Sequence, residues 1–290
     1  MKKIFVALGM VAFLVACDDS ASAGNNEPTT LSSADGQGSS SSEKLSETSS
    51  GSADKVASSS SVVTLANPCK TETEDNCEYG TVLDDRDGQT YKTVKIGDQW
   101  WMAENLNYAY IGVSYNYGGY TSDSTSWCYD NNASNCTKYG RLYTWAAAMD
   151  SVGMRSSNGK GCGFLATCSP TYPVRGVCPE GWHLPDTTEW KALLVAVGGR
   201  SMAGKVLKST SGWMGRDGNG TDAYSFSALP VGERNFGGGY YGENISVSFW
   251  SSSELNGNDA YNMFLYCNYE DVYLEPRTKL WGGSVRCVKD

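Results

Sequence analysis

The segment CPEGWHLPDTTEW, residues 178–190, decides how this chain is expected to fold. It contains a cysteine, two tryptophans and the single histidine of the chain, and it carries a helix-start signal. Asp186 follows Pro185 and is a favourable N-cap residue. Glu189, three positions later, can return a hydrogen bond to the N-cap backbone, which completes a capping box. The segment therefore predicts that a helix begins at Asp186.

One face of this predicted helix is apolar. Its apolar residues recur at i, i+3, i+4 and i+7, which places them on the same side of an α-helix; they are Trp190, Leu193, Leu194 and Val197. Gly198 and Gly199 follow and favour a left-handed helix end. We therefore expect a helix with a buried face, followed by a second short helix over residues 201–209.

Short strands are expected on both sides of the helices. Residues 81–96 read as a hairpin, because Asp87-Gly88 is a favourable turn between two runs of strand-forming residues. Further strands are expected over residues 260–267, 272–275 and 284–288, where aromatic and β-branched residues are frequent. This mixture of short helices and strands favours an α+β domain.

The N-terminal residues predict export. Lys2 and Lys3 precede an apolar run over residues 4–16, which is too short to cross a bilayer and suits a signal peptide. The motif LVAC, residues 14–17, resembles a bacterial lipobox, so Cys17 is the expected lipidation site and the anchor to a membrane. An ordinary signal peptide followed by a coincidental cysteine is the alternative.

The residues after Cys17 predict a flexible tether. From Asp18 to Ala66, sixteen of 49 residues are serine and none is aromatic. Such a segment cannot bury enough apolar surface to offset its ordering entropy. We therefore divide the chain into a signal peptide (1–16), a disordered serine-rich tether (17–66) and a single domain (67–290). The expected location is the cell envelope, at the outer membrane or the cell surface.

The composition excludes some partners and favours others. The net charge of −9 argues against a nucleic-acid partner, which requires a basic face. Tyrosine (18) and tryptophan (9) are more frequent than phenylalanine (7). Large rings with a polar group are typical of binding surfaces, although the same rings also serve as core residues.

Ten cysteines in an exported chain favour disulfides over metal or redox chemistry. Three pairs bracket short loops, and a fourth closes the second half of the domain. A loop of that size contributes roughly 4–5 kcal/mol of stability, against roughly 2–3 kcal/mol for each small loop. Cys267 is left free or competes for a partner. The predicted disulfides are Cys69–Cys77, Cys128–Cys136, Cys162–Cys168 and Cys178–Cys287.

The candidate ligand-binding residues are aromatic side chains in glycine-rich or polar loops. They are Trp213, Tyr240, Tyr241, Tyr115 and Tyr117. Packing within the loops is the alternative role for each of them. Residues 217–222 have oxygen ligands at alternate positions and could hold Ca²⁺, but a polar glycine turn is more common. We therefore predict no metal and no cofactor.

Several motifs resemble one known family, the Fibrobacter succinogenes major paralogous domain, over residues 79–288. The motifs are DRDGQ (85–89), YKTV (91–94), WMAENLNY (101–108), YGRLYTW (139–145), CPEGWHLP (178–185), FSALP (226–230), FWSS (249–252) and SVRC (284–287). The family is similar in fold to the C-type-lectin-like group. The resemblance implies an α+β domain with short helices, small antiparallel sheets, long irregular loops that form the binding face, and chain ends that meet.

The same fold group includes the formylglycine-generating enzymes, and parts of this chain look like them. The motif LPDTTEW (184–190) and the pair Arg286-Cys287 are similar to their segments. Those enzymes, however, use two neighbouring cysteines shortly before the final Arg-Cys, and this chain has only Cys267 there. His183, the only imidazole, lies between Trp182 and Leu184 and is expected to be structural. We therefore predict that the protein is not an enzyme.

The function expected from the sequence is a non-catalytic binding module on a lipid-anchored stalk. The expected ligand is a polysaccharide or a partner protein of the envelope. The alternatives are an enzyme related to the formylglycine-generating enzymes and a structural envelope or adhesion protein.

Overall fold

The computed structural model describes residues 65–117, 120–215 and 217–290, with the side chains of residues 113–124 excepted. The predicted signal peptide, the lipidation site Cys17 and almost all of the tether lie outside this range. The described residues form an α+β domain of short helices and small antiparallel sheets. Within them, no helix has the length and apolar composition needed to cross a membrane.

The strands of the described residues are short and the helices are shorter than three turns. The strands are β1 Tyr79–Leu83, β2 Thr90–Ile96, β3 Gln99–Met102, β4 Ile111–Tyr117, β5 Tyr120–Ser124, β6 Ser126–Trp127, β7 Leu142–Tyr143, β8 Trp182–His183, β9 Glu233–Arg234, β10 Tyr240–Tyr241, β11 Ser246–Glu254, β12 Asp259–Tyr266, β13 Tyr273–Thr278 and β14 Val288–Lys289. The α-helices are α1 Ala133–Tyr139, α2 Trp145–Ala148, α3 Thr187–Ala196 and α4 Arg200–Leu207, and a 3-10 turn covers Tyr129–Asn131.

The largest sheet joins the beginning of the domain to its end. Its strand order is β1-β2-β3-β14-β8, and all of its pairings are antiparallel. Val288 in β14 pairs with Trp101 on one side and with His183 on the other. The last strand therefore lies between β3, which follows the first hairpin, and β8, so the two ends of the domain meet, as the family resemblance implies. Gly88 takes the positive φ (74°) that the predicted turn between β1 and β2 requires.

Helix α3 begins as the sequence predicts. Asp186 accepts hydrogen bonds from the backbone N–H groups of Thr188 and Glu189, and the Glu189 side chain accepts one from the Asp186 N–H. The Trp190 ring stacks on Trp101 with 4.9 Å between centroids. Because Trp101 belongs to β3, this contact fixes the helix on the largest sheet.

The four disulfides that the sequence predicts are present. They join Cys69 to Cys77, Cys128 to Cys136, Cys162 to Cys168 and Cys178 to Cys287. The Cys178–Cys287 bond connects residues 109 positions apart, beside β8 and β14. No cysteine among the described residues is free, so of the two alternatives for Cys267 the free thiol is wrong.

Buried cations organise the loops, which the sequence does not predict. Arg286 is fully buried, and its guanidinium donates hydrogen bonds to Asn105 Oδ1 and to the carbonyls of Met102, Phe226 and Ser227. Burial lowers the pKa of Arg286 to about 9. The guanidinium therefore ties the segment after β3 to the loop around residue 226.

Candidate functional site

The second sheet, in the order β11-β12-β13, has one face against the core and one face that is partly open. Side chains alternate between the two faces along each strand, and directly paired residues share a face. On the core side lie Val247, Phe249, Met263 and Leu265, all fully buried. On the other side Phe264 pairs with Tyr273, and Tyr266 follows Phe264 by two positions. Alternation therefore places aromatic rings on the outer face.

These rings form one continuous row, which we call the aromatic face: Phe264, Tyr266, Tyr269 and Tyr273. The centroid distance is 6.2 Å from Phe264 to Tyr266, 5.5 Å from Tyr266 to Tyr269 and 6.4 Å from Tyr269 to Tyr273. Tyr269, in the turn between β12 and β13, is 50% exposed, and the other three are partly exposed. The row offers apolar ring surface beside phenol hydroxyl groups.

A buried lysine holds the turn that carries part of the aromatic face. The Lys208 ammonium donates hydrogen bonds to the carbonyls of Tyr266, Cys267 and Tyr269, at 3.3, 3.2 and 3.3 Å. Burial lowers the pKa of Lys208 to about 8. Because three carbonyls of one turn share this single donor group, Lys208 fixes the positions of Tyr266 and Tyr269 from behind.

Trp213, which the sequence suggested as a ligand contact, lies behind this turn and not on the surface. It is only 5% exposed, and its indole N–H donates to the Ser209 hydroxyl and the Ala228 carbonyl. The Lys208 Nζ lies 5.1 Å from the centre of its ring. Trp213 therefore supports Lys208 instead of meeting a ligand directly.

An ion pair closes the other end of the aromatic face. Arg277 in β13 donates two hydrogen bonds to the carboxylate of Glu233 in β9, one of them 2.9 Å from Nε to Oε1. The guanidinium carbon lies 5.8 Å from the Phe264 ring centre and 4.4 Å from that of Trp281. Burial lowers the pKa of Arg277 to about 10 and raises the pKa of the nearby Glu275. The planar cation thus extends the row, with its charge balanced by Glu233.

The predicted residues Tyr240 and Tyr241 lie in the strand next to this ion pair. Tyr241 pairs with Glu233 across the β9–β10 ladder and is 56% exposed. Cross-strand partners share a face, which places Tyr241 on the side of Glu233. The Tyr240 hydroxyl instead donates to Asn131 Oδ1 at 2.7 Å, and its ring lies 5.2 Å from that of Tyr129. Tyr240 is therefore partly committed to packing its loop.

The remaining predicted residues, Tyr115 and Tyr117, belong to β4. Their side chains lie outside the described residues. Nothing in the structure therefore relates them to the aromatic face.

His183 is committed to the scaffold. Its Nδ1 lies 2.7 Å from Asp290 Oδ1 and its Nε2 lies 2.7 Å from Glu189 Oε1. Burial opposes the charged form, but the hydrogen bonds and charges of the two carboxylates prevail and raise the pKa of His183 above its ordinary value. The imidazolium thus links β8 to α3 and to the residue after β14, in agreement with the structural role expected for it.

Two side chains of residues 217–222, Asn219 and Asp222, accept hydrogen bonds from protein groups. The Asp222 carboxylate accepts hydrogen bonds from the backbone N–H and the hydroxyl of Ser227, both at 2.7 Å. Asn219 Oδ1 accepts one from the Trp213 N–H at 3.0 Å. In the part of the chain that the structure describes, no group of three or more His, Cys, Asp or Glu side chains is arranged to hold a metal ion.

These features define a disulfide-stabilised α+β domain with a row of partly exposed aromatic rings on one sheet. The chain belongs to the Fibrobacter succinogenes major domain family, whose model matches residues 94–289. The matched region includes the capping box of α3, the Cys178–Cys287 disulfide and the whole aromatic face. Neither a curated protein nor a solved structure gives a match to the chain.

Proposed function

We propose that this protein is an exported, lipid-anchored protein of the cell envelope whose domain binds polysaccharide without catalysis, and that the aromatic face is its binding surface. The observation that carries this proposal is the unbroken row from Phe264 to Tyr273 on the open side of the second sheet. We further propose that the domain has the C-type-lectin-like fold that its family resemblance implies.

The chemistry of the aromatic face suits a carbohydrate. The apolar faces of sugar rings pack against aromatic rings, while phenol hydroxyls provide hydrogen bonds at the edges of the contact. Glu275 and Arg277 lie on the same side of the sheet as Tyr273, because they follow it by two and four positions. They supply charged hydrogen-bonding groups next to the rings.

The surface is also rigid, which favours binding. The rings lie on or beside the paired strands β12 and β13, Lys208 fixes the turn between these strands, and Glu233 fixes Arg277. Side chains that are already ordered lose less conformational entropy when a ligand arrives. A preorganised row of this kind can therefore bind an extended chain through several weak contacts.

The N-terminal sequence supports display at a membrane. Lipidation at Cys17 together with a serine-rich tether holds a domain away from a bilayer, at a root-mean-square distance of roughly 40 Å for a flexible coil of this length. Such a position suits an envelope protein that meets large insoluble polymers outside the cell.

Retention on insoluble cellulose and xylan tests the proposal. Two lost ring contacts should weaken binding about tenfold, since each contributes about 0.5–1.5 kcal/mol. We therefore expect the double variant Tyr269→Ala/Tyr273→Ala to lose retention that the unsubstituted chain shows. Tyr172→Ala is the matched control, because Tyr172 is also 50% exposed and lies outside the aromatic face. Failure of the unsubstituted chain to bind any glycan on an array would remove the polysaccharide proposal.

A further inference from the structure

A groove of about 790 Å³ shares no lining residue with the aromatic face. It is lined by residues of 70–81, 89–92, 103–107, 136–140 and 225–229. These are the hairpin β1–β2 with the residues before it, the segment after β3, the end of α1 and the loop held by Arg286. Five of the motifs that carry the family resemblance therefore supply lining residues of one concavity.

The loop at one side of the groove is held in a strained backbone conformation. Ser225 and Ser227 both line the groove and have positive φ angles of 52° and 53°. Two buried groups hold Ser227: Asp222 accepts hydrogen bonds from its backbone N–H and hydroxyl, and Arg286 donates to its carbonyl at 2.9 Å. The Ser225 N–H donates to the Asp222 carbonyl at 2.9 Å. Strained residues of this kind persist only where the surrounding structure fixes them, and they cluster at binding sites.

The carboxylates that line the groove are already engaged by the protein. Both oxygens of Asp75 accept hydrogen bonds from the Tyr79 hydroxyl, at 2.8 and 2.7 Å, and Ser225 Oγ lies 2.6 Å from that hydroxyl. The Tyr79 hydrogen bond lowers the pKa of Asp75. Glu104 Oε2 accepts a hydrogen bond of 2.7 Å from the backbone N–H of Lys92.

The lysines that line the groove have fewer carboxylate partners than its carboxylates have hydrogen-bond donors. Lys70 pairs with Asp222 at 3.4 Å. Among the residues that the structure describes, the ammonium groups of Lys92 and Lys138 form no ion pair with a carboxylate. Lys138 Nζ instead lies 4.3 Å from the centre of the Tyr139 ring. The groove thus has two available cations, which favour an anionic ligand although the chain as a whole carries a net charge of −9.

We propose that this groove binds a carboxylated saccharide, such as a uronic-acid unit, with Lys92 and Lys138 contacting the carboxylate. The side-chain amides of Gln89 and Asn107, which line the groove and join through a hydrogen bond of 2.8 Å, meet the sugar hydroxyls. The inference rests on the proposed function in taking a carbohydrate as ligand, but it concerns a separate surface. It adds a site selective for a carboxylate to the stacking surface of the aromatic face.

Calorimetry with the full chain in detergent tests this assignment at low salt. The probes are oligogalacturonate, the same oligomer with its carboxyl groups methyl-esterified, and a cello-oligosaccharide. We expect oligogalacturonate to bind at least about tenfold more tightly than its ester, because charge-assisted hydrogen bonds are the stronger ones. Its affinity should also fall as salt is added, because the lysines are partly solvated.

Substitution of the lysines locates the site. Lys92→Gln/Lys138→Gln keeps most of each side-chain stem and should reduce oligogalacturonate affinity at least about tenfold. Lys191→Gln, on the exposed side of α3, removes one positive charge elsewhere and should leave that affinity unchanged. Circular dichroism verifies that each variant is folded.

The outcomes separate the two proposals. Equal affinity for the acid and the ester, or full affinity in the double lysine variant, would overturn the groove assignment, while retention on cellulose through the aromatic face would still support the proposed function. Tight oligogalacturonate binding without retention on cellulose or xylan would support the groove and overturn the role of the aromatic face. Displacement of oligogalacturonate by poly-glutamate at equal carboxylate concentration would overturn the saccharide class, because it would identify an acidic peptide as an equivalent ligand.

Discussion

Residues 178–190 and the aromatic face contain similar residue types and use them in opposite ways. In residues 178–190 the polar groups are consumed by the protein itself: Asp186 and Glu189 cap α3, and His183 joins two carboxylates. On the aromatic face the rings remain partly exposed, and Lys208 and Glu233 hold only the backbone and the flanking cation. A high density of unusual residues therefore marks the scaffold here. The candidate binding surface is instead marked by rings whose backbone is held from the buried side of the sheet and which are partly exposed on the other side.

The largest expected effect concerns the scaffold segment, residues 178–190. Removing the Cys178–Cys287 disulfide with Cys178→Ala/Cys287→Ala should lower the free energy of unfolding by roughly 4–5 kcal/mol, since a long loop is released in the unfolded chain. Denaturant titration of the oxidised proteins measures this change. Cys69→Ala/Cys77→Ala, which opens a loop of eight positions, should cost only roughly 2–3 kcal/mol. Equal losses in the two variants would contradict the difference in loop length.

A smaller effect tests His183. Because its folded pKa is raised, its contribution to stability is fully present below the ordinary histidine pKa, and it is lost as the pH rises through the folded pKa. Hydrogen bonds to charged groups contribute roughly 1.5–3 kcal/mol. We therefore expect the free energy of unfolding of the unsubstituted chain to be higher than that of His183→Gln by about that amount near pH 5.5.

The same comparison near pH 9 provides the check on His183. The difference in unfolding free energy between the two proteins should shrink as the pH rises through the folded pKa of His183, because the imidazolium then loses its proton. Denaturant titration at both pH values measures it. A difference that is constant, or that grows with pH, would show that His183 does not act as a cation between Glu189 and Asp290.

The smallest expected effect tests whether Tyr241 belongs to the aromatic face. Tyr241→Ala should change stability by less than about 0.5 kcal/mol, because the side chain is largely exposed. If Tyr241 extends the aromatic face, retention on cellulose should fall about threefold, as expected for one peripheral ring. Unchanged retention would limit the binding surface to β12, β13 and their turn. Parallel retention assays on the two proteins decide between these results.

Local signals in the sequence predict much of the scaffold. The capping box of α3 needs only Asp186 and Glu189, and three of the disulfides close loops that are short enough to recognise from spacing. The strand predicted over residues 260–267 agrees with β12, and the one over residues 272–275 with the start of β13. Of the strand predicted over residues 284–288, only Val288 is in β14; Ser284 forms an isolated bridge to Phe249.

The aromatic face is harder to predict because β12 is apolar on both sides. Phe264 and Tyr266 alternate with Met263 and Leu265, so periodicity alone does not reveal which set faces solvent. Only the three-dimensional position of Phe249 and the rest of the core determines which side of β12 is buried. The presence of Phe264 and Tyr266 in a predicted strand is the sequence signal for the aromatic face. This signal does not distinguish a buried side of the strand from an exposed one.

Buried cations are the other feature that the sequence does not reveal. Lysine and arginine are usually exposed, yet Lys208, Lys279 and Arg286 are almost fully buried. Their main partners are backbone carbonyls, as when Lys279 Nζ donates to the carbonyls of Gly163 and Ala166. Carbonyl groups carry no sequence signature. The burial of Trp213 against Lys208 could not be foreseen for the same reason. The groove could not be foreseen either, because its lining residues come from segments that lie far apart in the chain.

The position of Lys208 has a consequence for how ligand preference can change. Lys208 holds the turn between β12 and β13 from the buried side through three backbone carbonyls. Backbone contacts of this kind do not depend on which ring projects outward at position 269 or 273. Substitutions there alter the outer surface while the frame that presents it stays intact. If the aromatic face is the binding surface, as proposed, its specificity can change through single substitutions at these positions without a change of fold.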